Sequence, residues 1–177
     1  MTEVALRRAQ QGDAEAIARL HAQVWRETYR HLAPEAAFQA LDEAARLSRW
    51  RDILAMPSSE KSVLLAEIRG RIAGFGLAGA PSSEAFGSRG EIKFLYVDSA
   101  CKRQGIGRRL LAALARDLRS FGYASAALGV VVGNDPAIAF YEALGGRPMD
   151  RYTDPGPLWR SENIIYAWDD LERLIAA

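Results

Sequence analysis

The segment from Phe94 to Leu111 restricts the possible fold more than any other part of the 177-residue chain. An apolar run, Phe94-Leu95-Tyr96-Val97, leads into Asp98-Ser99-Ala100-Cys101-Lys102-Arg103-Gln104-Gly105-Ile106-Gly107 and then into Arg108-Arg109-Leu110-Leu111. The pattern predicts a strand, a basic loop carrying two glycines, and a helix opened by Gly105. The first N–H groups of such a helix lack intrahelical acceptors, and the helix dipole adds positive character, so a phosphate is favoured there. Glycine at 105 and 107 lets the backbone approach a pyrophosphate that a side chain would obstruct. The alternative is a tight turn packed against the sheet. A Walker loop requires Gly-Lys-Ser/Thr, which is absent, and a dinucleotide fingerprint requires a third glycine where Leu110 stands.

Periodicity on either side of this segment gives the fold class. Glu3 to Arg8 reads as a strand, and Asp13 is a candidate N-cap for a helix to about Arg30, with Ile17, Leu20, His21, Val24 and Trp25 on one face. Helix resumes after Pro34 and stops near Pro57. Val63 to Ile68 and Arg71 to Leu77 read as a hairpin turning at Arg69-Gly70. Ile92 to Val97 is the next strand. The helix from Gly105 carries Leu110, Leu111, Leu114, Leu118 and Phe121 on one face and closes at Gly122. Ala126 to Val132 is a continuous apolar run, as in a strand buried on both faces. Asp135 and Pro136 suit the N-cap and first turn of another helix, ended by Gly145-Gly146. Strands near Arg147 to Tyr152 and Ile164 to Trp168 follow. The order predicts an α/β fold, a mixed sheet with helices on both faces, over a single domain spanning residues 1–177.

Charge and cysteine usage narrow the function. With 23 Lys+Arg against 22 Asp+Glu the net charge is +1, so the chain lacks the basic excess of a nucleic-acid binder. The cluster Lys102-Arg103 and Arg108-Arg109, interrupted by glycines, suits a small anionic ligand better. The single cysteine, Cys101, excludes an internal disulfide and a cysteine-rich zinc site, and without a histidine base it is no nucleophile. His21 and His31 have no further ligands at metal spacing, so no metal is expected. There is no apolar signal region and no stretch long enough to span a membrane, which makes the cytoplasm the expected location.

A second stretch, Val132-Gly133-Asn134-Asp135-Pro136-Ala137-Ile138-Ala139-Phe140-Tyr141-Glu142-Ala143-Leu144-Gly145-Gly146, joins the first in one pattern. Lys102-Arg103-Gln104-Gly105-Ile106-Gly107 resembles the pyrophosphate loop of the GCN5-related N-acetyltransferases, the GNAT superfamily. Asn134 through Phe140-Tyr141-Glu142 to Gly145 resembles the strand-helix motif that follows it there. The resemblance is specific over Glu91 to Gly146. Two positions depart from the common pattern: Lys102 stands where Gln or Arg is usual, and Gly146 follows the helix-ending glycine where Phe is usual.

The resemblance implies the GNAT fold and acetyl-CoA as acyl donor. It implies backbone hydrogen bonds from Leu95, Tyr96 and Val97 to the pantetheine arm, which would lie like an extra strand in a splayed sheet. Amides from Arg103 to Arg108, through Gln104, Gly105, Ile106 and Gly107, would cradle the pyrophosphate, with Lys102 as a further cation. Asn134 would hold the pantetheine amide, and Phe140 would adjoin the cofactor. Tyr141 would protonate the leaving thiolate, since a phenol near pKa 10 is protonated at neutral pH. Without the motif it would read as a half-buried aromatic. Glu91, at the start of the central strand, is the expected base acting through water; the other reading is a solvated strand-end glutamate. Trp25 and Tyr29 would border the acceptor cleft. The expected reaction is acetylation of a primary amine, with a small molecule such as a polyamine as acceptor and a homodimer left open. The alternatives are a protein N-terminal or lysine acetyltransferase and a non-catalytic acyl-CoA-binding module.

Overall fold

Gly74, Gly76 and Gly90 are bare because one helix lies directly on them: a Cβ at each would come within 3.2 Å of Leu110, Leu114 or Leu118. A computed structural model, describing residues 3–156 and 159–177, shows the arrangement that produces this contact. Seven strands form one sheet: β1 (Val4–Arg8), β2 (Lys61–Ile68), β3 (Arg71–Gly79), β4 (Gly90–Val97), β5 (Ala126–Val131), β6 (Arg147–Asp154) and β7 (Ser161–Trp168). Their spatial order is β1-β2-β3-β4-β5-β7-β6. All neighbours are antiparallel except β4 and β5.

Six α-helices complete the described chain: α1 (Ala14–Tyr29), α2 (Glu35–Ala40), α3 (Glu43–Ala55), α4 (Ile106–Ser120), α5 (Asp135–Ala143) and α6 (Leu171–Ala176). On one face of the sheet, Ile17, Leu20 and Val24 of α1 and Trp50 of α3 pack with Leu65, Phe75 and Leu77. On the other, Leu110, Leu111, Leu114 and Leu118 of α4 are fully buried against β2 to β5. This is the mixed sheet with helices on both faces that the periodicity predicts. The β2–β3 hairpin turns at Arg69 and Gly70 as expected, both with positive φ (50° and 74°), the signature of a type I′ turn.

Local departures have physical causes. Asp13 does not cap α1 with its side chain. It sits in a 3₁₀ turn and accepts both terminal nitrogens of Arg7 (2.8 and 2.9 Å) and the Gln10 N–H (2.7 Å), which hold its carboxyl below the usual carboxylate range. The helical stretch after Pro34 is two helices, because the Asp42 carboxylate accepts the Ala45 N–H at 2.9 Å and starts α3 afresh. Asn134, one residue earlier than expected, is the N-cap of α5. β5 is buried except at Gly129, which is exposed, and at its last residue, Val131, which is half-buried. A sixth helix, α6, has no counterpart in the sequence pattern; its Leu171 and Leu174 pack beside α4.

Two features of β4 position the site. It pairs with β5 only through Gly90↔Ala126 and Glu91↔Ala127, so from Ile92 onward the strands diverge. Toward β3 the register slips by one residue at Lys93, where Leu77 faces Phe94 but Ala78 faces Ile92. This bulge reverses the side-chain alternation. Ile92 therefore faces α4, while Phe94 and Tyr96 face α1 and α3.

Candidate active site

The divergence of β4 and β5 opens a V-shaped cleft of about 740 Å³. Its β4 wall is Leu95, Tyr96 and Val97, which pair with Gly76, Phe75 and Gly74 of β3 on one side. On the side toward β5 no strand takes up their backbone groups. Backbone polar groups removed from water require partners, so an extended amide-bearing chain fits this edge as an added strand would.

At the end of β4 the chain enters the basic loop. Arg103 (φ 61°) and Gly105 (φ 76°) both adopt left-handed backbone, and Gly105 forms the N-cap of α4. The N–H groups of Ile106, Gly107 and Arg108 are thereby turned outward from the first turn of a 15-residue helix. Lys102, Arg103, Arg108 and Arg109 are exposed and, among the described residues, form no salt bridge. Four free cations around a helix N-terminus make the mouth of the cleft strongly anion-attracting. The two glycines serve different ends. A Cβ on Gly105 would meet nothing within 4 Å, so its requirement is the positive φ. A Cβ on Gly107 would lie 3.2 Å from the Phe140 ring, so that glycine lets α5 pack against α4.

The cleft is closed from the β5 side by α5, which brings Asn134, Phe140 and Tyr141 to it. The Tyr141 ring is wedged between Phe140 (5.3 Å between centroids) and Trp168 (6.0 Å), leaving it 9% exposed. Burial, with a smaller contribution from nearby Tyr29, pushes its phenol well above the ordinary value. Tyr29 reaches the cleft from α1, and its hydroxyl neighbours Tyr96 and Asn134.

Twelve residues expected at the site from the sequence line this cleft: Leu95, Tyr96, Val97, Lys102, Arg103, Gly105, Ile106, Gly107, Arg108, Asn134, Phe140 and Tyr141. Two do not. Gln104 is exposed on the loop beside it. Glu91 is 7% exposed, precedes the bulge, and its carboxylate accepts the Ser82 N–H at 2.6 Å, tying down the loop between β3 and β4. It is therefore not a solvated strand-end glutamate. Lys93, Val24 and Thr28 also line the cleft and had no distinguishing signal. Among the described residues no Asp or Glu lines it.

The model of the acetyltransferase (GNAT) family matches residues 16–146. The uncharacterized N-acetyltransferase YuaI of Bacillus subtilis is 31% identical over 174 residues, 97% of this chain and 96% of that protein. The chain belongs to the GNAT family. Its acyl donor is accordingly acetyl-CoA, and it is an N-acetyltransferase. The fold agrees with solved GNAT structures. The PaiA N-acetyltransferase of Thermoplasma acidophilum, in complex with coenzyme A, superposes with a TM-score of 0.77 at 18% identity, covering 93% of this chain and 98% of that one. YncA of Salmonella typhimurium, with acetyl-CoA, gives 0.69 at 22% identity, covering 96% and 95%. The glycine loop, the splayed strands and α5 thus line one cleft. Among the described residues no cluster of His, Cys, Asp and Glu suits a metal ion.

Proposed function

We propose that this GNAT enzyme acetylates the primary amine of a small molecule by direct attack on the bound thioester, with Tyr141 protonating the departing thiolate. The observation that carries the proposal is the location of a buried, fully protonated phenol on the same cleft as the unpaired β4 edge and the α4 N-terminus. Amides of the loop from Arg103 to Arg108 would hold the pyrophosphate. The Leu95 to Val97 backbone and Asn134 would align the pantetheine arm, and a strand amide near Leu95 would polarise the carbonyl.

The amine nitrogen forms a bond to the carbonyl carbon as the C–S bond breaks. The new amide gives up one proton to water, and the sulfur takes one from Tyr141, which recovers it from solvent after product leaves. Burial keeps the Tyr141 phenol in its acid form, and the sulfur of the intact thioester is too weakly basic to take its proton. Transfer occurs only as charge builds on sulfur. With no carboxylate on the cleft among the described residues and Glu91 bound to Ser82, the amine's proton leaves by solvent rather than to a neighbouring base.

The pH profile tests this assignment. Because burial raises the Tyr141 pKa, its acid form persists through neutral and mildly alkaline pH. The value of kcat/KM should therefore rise with pH toward the amine's own pKa, near about 10 for an alkylamine, without an earlier alkaline fall. An alkaline fall centred near 8 that disappears in Tyr141→Phe would contradict the assignment. An acidic limb removed by Glu91→Gln would instead return the base role to Glu91.

A further inference from the structure

Arg46 is a buried cation without an anion. It projects from α3 on the same stripe as Trp50, is 6% exposed, and forms no salt bridge among the described residues. Its Nε–H donates to the Leu41 carbonyl at 3.1 Å. Nη1 lies 2.9 Å from His21 Nε2, and Nη2 has no hydrogen-bond partner among the described residues. The guanidinium sits over the Trp25 ring, 5.1 Å from its centroid.

The His21 contact does not relieve the deficit. Trp50 Nε1–H also points at this imidazole, 3.1 Å from Nδ1. A neutral imidazole has one lone pair and one N–H, so it can accept from Trp50 or from Arg46 but not from both. His21 is kept neutral, its pKa lowered by burial and then by Arg46 and Arg49. The cluster therefore holds more donors than acceptors. Buried charges are ordinarily paired and buried donors satisfied, and a group that is neither marks a place where a ligand completes the structure.

The surroundings indicate which ligand. Tyr29 and Tyr96, aromatic walls of the cleft, pack on the two rings that the Arg46 guanidinium touches: Tyr29 on Trp25 (5.1 Å between centroids) and Tyr96 on His21 (4.9 Å). Arg49 lies over the Phe94 ring, and the carboxylate of Asp42, which acts on Arg46, is engaged in capping α3. Arg46 lies behind these rings rather than on the cleft wall itself, and among the described residues no carboxylate lines that wall to attract a polyamine. A planar carboxylate matches the fork of a guanidinium and supplies the missing acceptors.

We infer that Arg46 receives a carboxylate of the acceptor, and hence that the amine substrate is a free amino acid rather than a polyamine. This rests on the acetyltransfer reading above. The amino group would then face the thioester while the carboxylate is turned toward α3, behind Tyr29 and Tyr96.

The test compares L-amino acids with their primary carboxamides, which keep the amine and side chain but remove the charge and mimic a peptide N-terminus. Turnover is read as thiol released from acetyl-CoA, and binding as the melting shift in its presence. The expected result is a preference for at least one free acid over its amide by about 100-fold or more in kcat/KM, because a site built around a polar group rejects the analogue lacking it. Arg46→Met should collapse that ratio toward unity while the melting shift caused by acetyl-CoA persists. Arg46→Lys, which keeps charge but loses the fork, should fall between. If Arg46→Met does not fold, the acid-to-amide ratio of the wild type and the Lys variant decides the matter. Equal or better use of amides or polyamines, or an unchanged ratio in both variants, overturns the inference and leaves acetyl transfer standing. Amino-acid binding without thiol release counts against acetyl transfer but supports Arg46 as the carboxylate site. Silence of acids in both turnover and binding overturns it as well.

Discussion

Tyr141→Phe should lower kcat by roughly 10²- to 10⁴-fold, the usual contribution of a positioned general acid, with cofactor affinity nearly unchanged. The substitution is suited to the question because the ring is held by packing, between Phe140 and Trp168, and a phenyl group fills the same space. Folding should therefore be retained. What is lost is one O–H, and its interaction with sulfur exists only as the thiolate forms. A purely structural Tyr141 would leave turnover intact, and a cofactor contact alone would raise KM for acetyl-CoA while kcat held. Steady-state kinetics in acetyl-CoA separates these outcomes.

Gly107→Leu should abolish cofactor binding through the packing of two helices rather than through the phosphate itself. The site of its Cβ is already 3.2 Å from Phe140, so a leucine must drive that ring away and with it α5, which carries both Asn134 and Tyr141. Acetyl-CoA at a hundredfold over its Kd should stabilise the wild type by about 2.7 kcal/mol. In the variant the stabilisation should shrink to nearly nothing. Gly105→Ala is the counterpart: nothing obstructs the methyl group, and its cost is that of forcing an L-residue to φ 76°, roughly 1–2 kcal/mol. That variant should melt lower yet still respond to acetyl-CoA. A Gly107→Leu protein that responds like the wild type would show that the α4–α5 contact does not shape the cleft.

What could be read from the sequence followed from local pattern. Four of the five residues read as the α4 stripe, Leu110, Leu111, Leu114 and Leu118, are fully buried, while Phe121 is the half-buried C-cap; the glycine loop and α5 motif meet on one cleft as their spacing suggests. What could not be read depends on pairing and on facing. The two-residue contact between β4 and β5 is a property of two distant segments, and neither strand carries a signal of where they separate. The bulge at Lys93 hides the face on which Glu91 lies. The six residues of α6 are too few to show a period, and their burial comes from docking on α4. Arg46 passes for a surface residue because arginine in an amphipathic helix is normally solvated. Its spacing of four from Trp50 was the available signal that it belongs to the buried stripe.

The central claim is that this cleft binds acetyl-CoA and delivers its acetyl group to an amine. The most direct measurement is thiol release from acetyl-CoA by the full chain with an amine panel of amino acids, their carboxamides and polyamines, with the acetylated amine quantified in the same sample by mass spectrometry. The account predicts thiol and acetylated amine in equal amounts, dependent on the amine and reduced at least about 100-fold in Tyr141→Phe. Tight acetyl-CoA binding without amine-dependent thiol release from any member of the panel would contradict it and leave a cofactor-binding protein in place of an enzyme.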